Sequence, residues 1–366
     1  MGFIEIFDKH EFFRVLDICY MNPAEVSSSA LCLVYLVLAI GLVLATPRPG
    51  SPEEIIINRL REDNLDWPEM FYRGAKLLGD PISGFEDADF WSVQALLLMA
   101  VYMLAISKRN AAYAYYGELQ LINNSINRHV QQAYFLNLGM AVRSAFALGL
   151  HREETAITYI FGPEMLQARR SLWRTLFVVD RFLSASLGRP TAISDDDCSC
   201  DWLSSTPGPF RPDLVQATSM EAIHAVGIDA ALRSSLAIGI ILKKVYAKRK
   251  ISTAFAQEMT SALKLWMPKL HPKLHWRNAF DIATVPGHGI AILHVNLLQC
   301  HTMILLTRPF FLYIITNASN GTQSSTAGTK MERFAESCVV ASYHTIYLVQ
   351  RAFTEHYLPR RNPFVL

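Results

Sequence analysis

Charge is scarce in this sequence. Asp, Glu, Lys and Arg make up 18% of its 366 residues, and 34 basic against 32 acidic side chains leave a net +2. Neutralising phosphates takes a concentrated basic surface, so this balance argues against autonomous binding of nucleic acid. Cysteine is also sparse. The six, Cys19, Cys32, Cys198, Cys200, Cys300 and Cys338, form no CxxC, and the one close pair is separated by a single residue. Such spacing supports neither a tetrahedral zinc site nor a disulfide framework, and it fits a reducing compartment. The N-terminal run MGFIEIFDKHEFF carries acids where a secretory signal carries bases, and Ile6 stands at the Ser/Thr position of a myristoylation motif. Neither an export signal nor a lipid anchor is read there.

Catalytic signatures are missing as well. No GxSxG, no P-loop, no GxGxxG after a strand and no interpretable carboxylate pair occurs, so a non-enzyme is expected. His151 has no nucleophile or orienting acid to serve, and beside a helix stop it is expected to cap backbone carbonyls. Cys198 and Cys200 follow Asp195, Asp196 and Asp197, and His271 and His275 stand four apart around Pro272. Neither spacing suits zinc, and both are read as loop residues.

What the sequence has in quantity is apolar residues, 51% of the chain. Their three- and four-residue spacing, with almost no period-two alternation, predicts an all-α fold. The expected form is a multi-helix bundle or an irregular helical solenoid of antiparallel helix pairs. Ala30–Ala45 is 16 consecutive apolar or small residues. That is short of the roughly 20 a bilayer span needs, so a buried helix is expected, with membrane association through residues 30–45 as the alternative. Helices are further predicted from Glu53, over 67–79, 90–107, 112–127, 133–151, 163–188, 214–250, 253–267, 289–307 and 331–355. The Pro/Gly-rich stretch 203–213 reads as a linker between an N-terminal part, 1–202, and a C-terminal part, 214–366, packed on it. Residues 317–329, poor in apolar side chains, read as a mobile loop.

One pair of helices, within 133–190, is the most informative segment. The first has Leu136, Met140, Ala147 and Leu148 on its apolar face with Arg143 among them, and Gly149 is a suitable left-handed stop. The second starts at Gly162-Pro163-Glu164, with proline and an acid in its first turn. Along one side it carries Leu166, Arg169, Trp173, Leu176, Asp180, Leu183 and Leu187. Asp180 is therefore expected to be buried, and a buried carboxylate needs a cation. Arg143 and Arg189 are the expected partners.

The runs AVRSAFALGLHREE and GPEMLQARRSLWRTLFVVDRFLSASLGRPTAISDDD resemble the signature of the fungal-specific transcription factor domain, the middle homology region of binuclear zinc-cluster regulators. The residues carrying the resemblance include Arg143, Gly149, Leu150, His151, Arg152, Arg169, Arg170, Trp173, Asp180, Arg181, Gly188, Arg189, Pro190, Asp195 and Asp197. Upstream VQALLLMAVYML and AYAYYGELQ, and downstream LLQCHTMILLTRPFF, extend it over most of residues 1–355, with 200–285 matching least. Arg174 departs from the second aromatic common after the tryptophan.

The resemblance implies an all-α regulatory domain, nuclear location and control of RNA polymerase II transcription. It also implies co-regulator proteins or the transcription machinery as partners, a small-molecule effector, and no membrane. DNA contact would come only through a six-cysteine module binding two zinc ions, and no such cluster occurs in this sequence, so no cofactor is expected here. The basic run Lys243, Lys244, Lys248, Arg249 and Lys250 has three readings. It is a nuclear localisation signal, a phosphate-contacting patch, or favourable charge at a helix C-terminus.

Overall fold

A computed structural model of the protein describes residues 5–79, 89–106, 137–152, 160–198, 220–266, 274–280, 286–319 and 330–358. Among these residues every regular element is helical. The long helices are α1 (Lys9–Met21), α2 (Ser28–Leu44), α3 (Pro52–Glu62), α4 (Trp67–Leu78) and α5 (Phe90–Ala105). They continue with α6 (Asn137–Ala147), α7 (Pro163–Leu187), α8 (Met220–Ile241), α9 (Thr253–Trp266), α10 (Pro286–Ser319) and α11 (Lys330–Thr354).

Local chemistry explains the starts. Asp8, Ser51 and Asp66 each accept from the backbone N–H three residues on, and in each case that residue is a glutamate, Glu11, Glu54 or Glu69. The acceptor satisfies one of the orphan donors of the first turn, and the acid favours its positive end. The same Asp-x-x-Glu signal at Asp8 marks α1, a helix that apolar periodicity alone did not reveal.

The helices pack in a chain of neighbours. α4 lies on α2, α2 on α5, α5 on α6, α6 on α7, α7 on α8, α8 on α10 and α10 on α11. Among the described residues, successive helices are thus packed on one another in series, in an all-α fold. Most neighbours whose contacts fix a direction are antiparallel: Tyr72 stacks on Tyr102 at 4.3 Å while Gly79, one residue past α4, meets Trp91. α8 and α10 instead run side by side in one direction, Gly227 opposite Val295 and Tyr246 opposite Leu305. α5 is buried from Ser92 to Ala105, and α7 almost continuously from Leu172 to Ser184, so these two form the inner rods. A helix closed in on all sides has no polar face, and α5 accordingly has none. One hydrophobic cluster runs from Ile6 to Phe310, and a second joins Leu293 and Leu297 of α10 to Leu348 and Ala352 of α11.

Several expectations change. α10 does not stop at Thr307 before Arg308-Pro309 but continues to Ser319. Proline lacks the N–H that would bond the carbonyl four residues back. That carbonyl, of Leu305, accepts instead from the Tyr246 hydroxyl at 3.0 Å. Asn317–Ser319 therefore belong to α10 rather than to a loop, while 320–329 lie outside the described residues. So do the expected helix 112–127, the 203–213 linker and Leu136. On α6, Arg143 and Ala147 lie on the exposed side, not the apolar one.

The membrane reading of residues 30–45 is corrected too. α2 has 17 residues and places Cys32, Leu36, Ala39 and Ile40 in the main core. Among the described residues, the helix long and apolar enough to span a bilayer is Gly289–Ser319, and 61% of its most apolar window is buried. It is packed between α8 and α11 and buries His294, Gln299, Thr302 and Thr307.

Candidate functional site

The signature residues gather into two adjoining clusters. In the first, α6 ends on Gly149, whose φ of +68° suits glycine. Its last turn closes through Leu150 N–H to the Ala145 carbonyl and Gly149 N–H to Phe146. The Leu148 carbonyl is taken by Arg169 Nη2 of α7 at 2.5 Å, and the Arg169 guanidinium lies 4.5 Å from the Phe161 ring centroid. Burial pushes the Arg169 pKa down. His151 does not take the cap. Its ring packs 4.7 Å from Phe146 and 6.1 Å from Trp173, and Arg152 Nε donates to its Nε2 at 3.2 Å. Leu150 and Trp173 are buried.

The second cluster centres on two adjacent charges inside α7. Asp180 is 0% and Arg181 1% exposed. The expected burial of Asp180 holds, but its cation is Arg181, not Arg143 or Arg189. Arg181 Nη1 donates to Asp180 Oδ2 at 2.6 Å and to the Ile193 carbonyl at 2.9 Å, and Nη2 donates to Asp195 Oδ1 at 2.5 Å. Asp180 also accepts from Ala192 N–H at 2.9 Å and Ile193 N–H at 3.3 Å. A helix-face argument could not place a neighbour one residue away. The turn after Gly188 makes the pairing work, because it folds residues 190–195 back onto α7. Gly188 has φ +64°, Arg189 N–H bonds the Ser184 carbonyl, and Ser184 Oγ donates to the Pro190 carbonyl at 3.3 Å. Burial raises the Asp180 pKa, opposed by Arg181 and the two amides.

Beyond the ion pair, the guanidinium lies 4.3 Å from the Phe177 ring centroid, and α8 reaches it through Gly239. The cluster thus fastens α7, its exit turn and α8 at one point. Arg170, Pro190 and Asp197 are exposed, as are Arg143 and Arg152, and Arg189 is half-buried. Gly239 belongs to the site but escaped the sequence reading, which took Asp196 only as a loop residue. Glycine inside the apolar run AIGII was the available signal for a close approach.

The basic run lies past the end of α8, where a π turn over Leu242–Tyr246 follows. Lys243, Lys244, Lys248, Arg249 and Lys250 are all exposed. Lys243 Nζ reaches Asp196 Oδ2 at 3.0 Å, so two consecutive acids of the exit turn hold two different partners, Asp195 the buried arginine and Asp196 the surface lysine. Among the described residues no three His, Cys, Asp or Glu side chains gather as a metal site. Cys198 Sγ donates to the Ser194 carbonyl and Cys200 lies outside the described residues, so the cysteines in view do not fit a zinc cluster.

No solved structure matches this chain. Filamentous growth regulator 27 of Candida albicans is 23% identical over 360 residues, covering 96% of this chain and 40% of that protein. An uncharacterised transcriptional regulatory protein of Schizosaccharomyces pombe is 22% identical, covering 90% of the chain and 36% of its own length. Activator of stress genes 1 of Saccharomyces cerevisiae is 24% identical, with 86% and 30% covered. The chain therefore spans well under half the length of these relatives. The profile of the fungal specific transcription factor domain matches residues 2–266, a span that contains the buried Asp180–Arg181 centre, the capped end of α6 and the tie to α8. On that match the chain belongs to the fungal specific transcription factor domain family.

Proposed function

We propose that this chain is the regulatory domain of a transcription factor that controls RNA polymerase II transcription in the nucleus and does no chemistry of its own. The observation that carries the reading is the family match over residues 2–266. DNA would be reached through a zinc-cluster module outside this sequence, with both zinc ions belonging to that module. The near-neutral charge of the chain supports this division.

Control of this kind requires a signal that binds one packing arrangement better than another. The signal is a co-regulator protein, the transcription machinery or a small-molecule effector. The N-terminal part, 1–202, and the C-terminal part, 214–366, joined through 203–213, are the two bodies whose packing carries it. The Arg181 clamp supports that role, since it ties α7 to α8 across the two parts. The exposed run from Lys243 to Lys250 supports nuclear import, because a receptor needs cations in water.

The test is a fusion of the whole chain to a heterologous DNA-binding domain, with reporter transcription read across growth conditions. A condition-dependent change is expected. A stably expressed fusion with no effect under any condition would overturn the reading.

A further inference from the structure

The link from the π turn after α8 to α9, residues 247–252, carries the basic run up to an exposed serine. Lys248, Arg249 and Lys250 are exposed and belong to no helix, and Ser252, also exposed, follows them across Ile251. Ile251 and Phe255, on either side of the serine, pack against the main core, so the link is pinned with Ser252 outward. Ser252 Oγ accepts from Phe255 N–H at 3.1 Å and caps α9, whose first turn holds no acid. Lys244 Nζ lies 5.3 Å from the Phe255 ring centroid, which brings a further cation to the same turn. Among the described residues, Lys243 is the member of the run with a carboxylate partner, Asp196.

We propose that Ser252 is a phosphorylation site for a serine kinase that reads cations ahead of its target, and that the phosphate masks the basic run from a nuclear import receptor. The masking rests on the import reading given above. Arg249 and Lys250 stand three and two residues ahead of the hydroxyl, a spacing at which carboxylates in a kinase groove can pair both cations while the serine enters the active site. Ser252 Oγ attacks the γ-phosphorus of ATP, and the bond from that phosphorus to the β–γ bridging oxygen breaks. ADP leaves, and the hydroxyl proton passes to the kinase's base. Residues 247–252 lie outside any helix, so the kinase has only the first turn of α9 to open, and helix ends open at little cost.

The product is favoured where it forms. A phosphoserine of charge about −1.5 to −2 stands at the positive end of α9, next to cations that have no carboxylate of their own. It offsets a large part of the charge of the run and draws Lys244, Lys248, Arg249 and Lys250 onto itself, whereas an import receptor needs those side chains in water.

The whole 366-residue chain, incubated with ATP and the catalytic subunit of cAMP-dependent protein kinase, tests the site. One phosphoryl group on Ser252, mapped by mass spectrometry, is expected. Ser252→Asn keeps a capping side chain and should lose that incorporation with its helical circular dichroism unchanged. Arg249→Ala should slow it about tenfold. An unmodified Ser252, or a rate indifferent to Arg249→Ala, overturns the site. Affinity for a receptor of the importin-α type is then compared between the phosphorylated and unmodified chains. The phosphorylated chain should bind about tenfold more weakly, and equal affinity overturns the masking. An unmodified chain that does not bind the receptor refutes the import reading and the masking with it, while incorporation at Ser252 decides the modification site by itself.

Discussion

A β-carbon on Gly239 would lie 2.7 Å from Nε of Arg181 and 3.3 Å from its Cδ. Both groups are deep in the interior, so the missing methyl is what lets α8 close on the buried guanidinium. Gly239→Ala gains helix propensity by about 1 kcal/mol. It also forces apart a contact whose arginine is held by three hydrogen bonds and cannot swing away, and such overpacking costs about 1–3 kcal/mol. A net loss of stability is expected in thermal or urea unfolding. An equal or higher melting temperature would mean that Arg181 is free to move.

Asp180 of α7 and Asp196 of the exit turn should differ sharply. Removing the Asp180 carboxylate leaves Arg181 buried without its neighbouring charge and frees two backbone amides, so Asp180→Ala should cost about 3–5 kcal/mol. Asp196, paired with Lys243 where both side chains are more than two-thirds exposed, should be replaceable by alanine with no measurable change. Chemical denaturation of the two variants checks this contrast. Comparable losses would show that the centre of the site lies elsewhere.

The stripe of α7 made the burial of Asp180 legible, because helical spacing reports which face is inside. The same reasoning misassigned its cation. Arg181 lies one residue on, and it reaches Asp180 and Asp195 only because the turn after Gly188 brings residues 192–195 back over the helix. Return geometry of that kind is set by backbone conformation in a dozen residues and leaves no periodic trace. Arg143 went wrong for a related reason, as its helix packs on both α5 and α7 and one apolar stripe cannot represent two contacts. The helices themselves were largely legible from spacing and caps, whereas α10 was cut short at Pro309 because the compensating donor comes from another helix.

That donor gives a third prediction. Tyr246 is the substitute for the N–H that Pro309 lacks, and it is held in a largely buried position where its pKa is raised by desolvation. Tyr246→Phe should destabilise by about 1–2 kcal/mol through an unsatisfied buried carbonyl. In a Pro309→Ala background the helix supplies its own donor to Leu305, so the same change should cost less. A double-mutant cycle on melting curves measures the difference, and strict additivity would show that the hydroxyl and the proline are unrelated.

Acid should loosen the C-terminal helices through two imidazoles of α10, His294 buried and His301 partly buried. Burial pulls the pKa of His294 down to about 3 and that of His301 to about 4. Both are neutral in the folded chain, while the unfolded chain takes up protons near pH 6.5. Between those values the unfolded state binds more protons, so the stability from each histidine is complete above pH 6.5 and declines as pH falls towards 4. The slope per histidine is about 1.4 kcal/mol per pH unit once its unfolded form is protonated. Asp180 has the opposite sign, since a raised carboxyl pKa favours the folded state in acid, so the ion-pair centre does not account for the loss. Melting temperature measured from pH 7.5 to 4.5 should therefore fall, and His294→Gln with His301→Gln should flatten the curve even if it lowers the plateau. If the double variant kept the full pH dependence of the parent, the acid-sensitive groups would have to be sought outside α10.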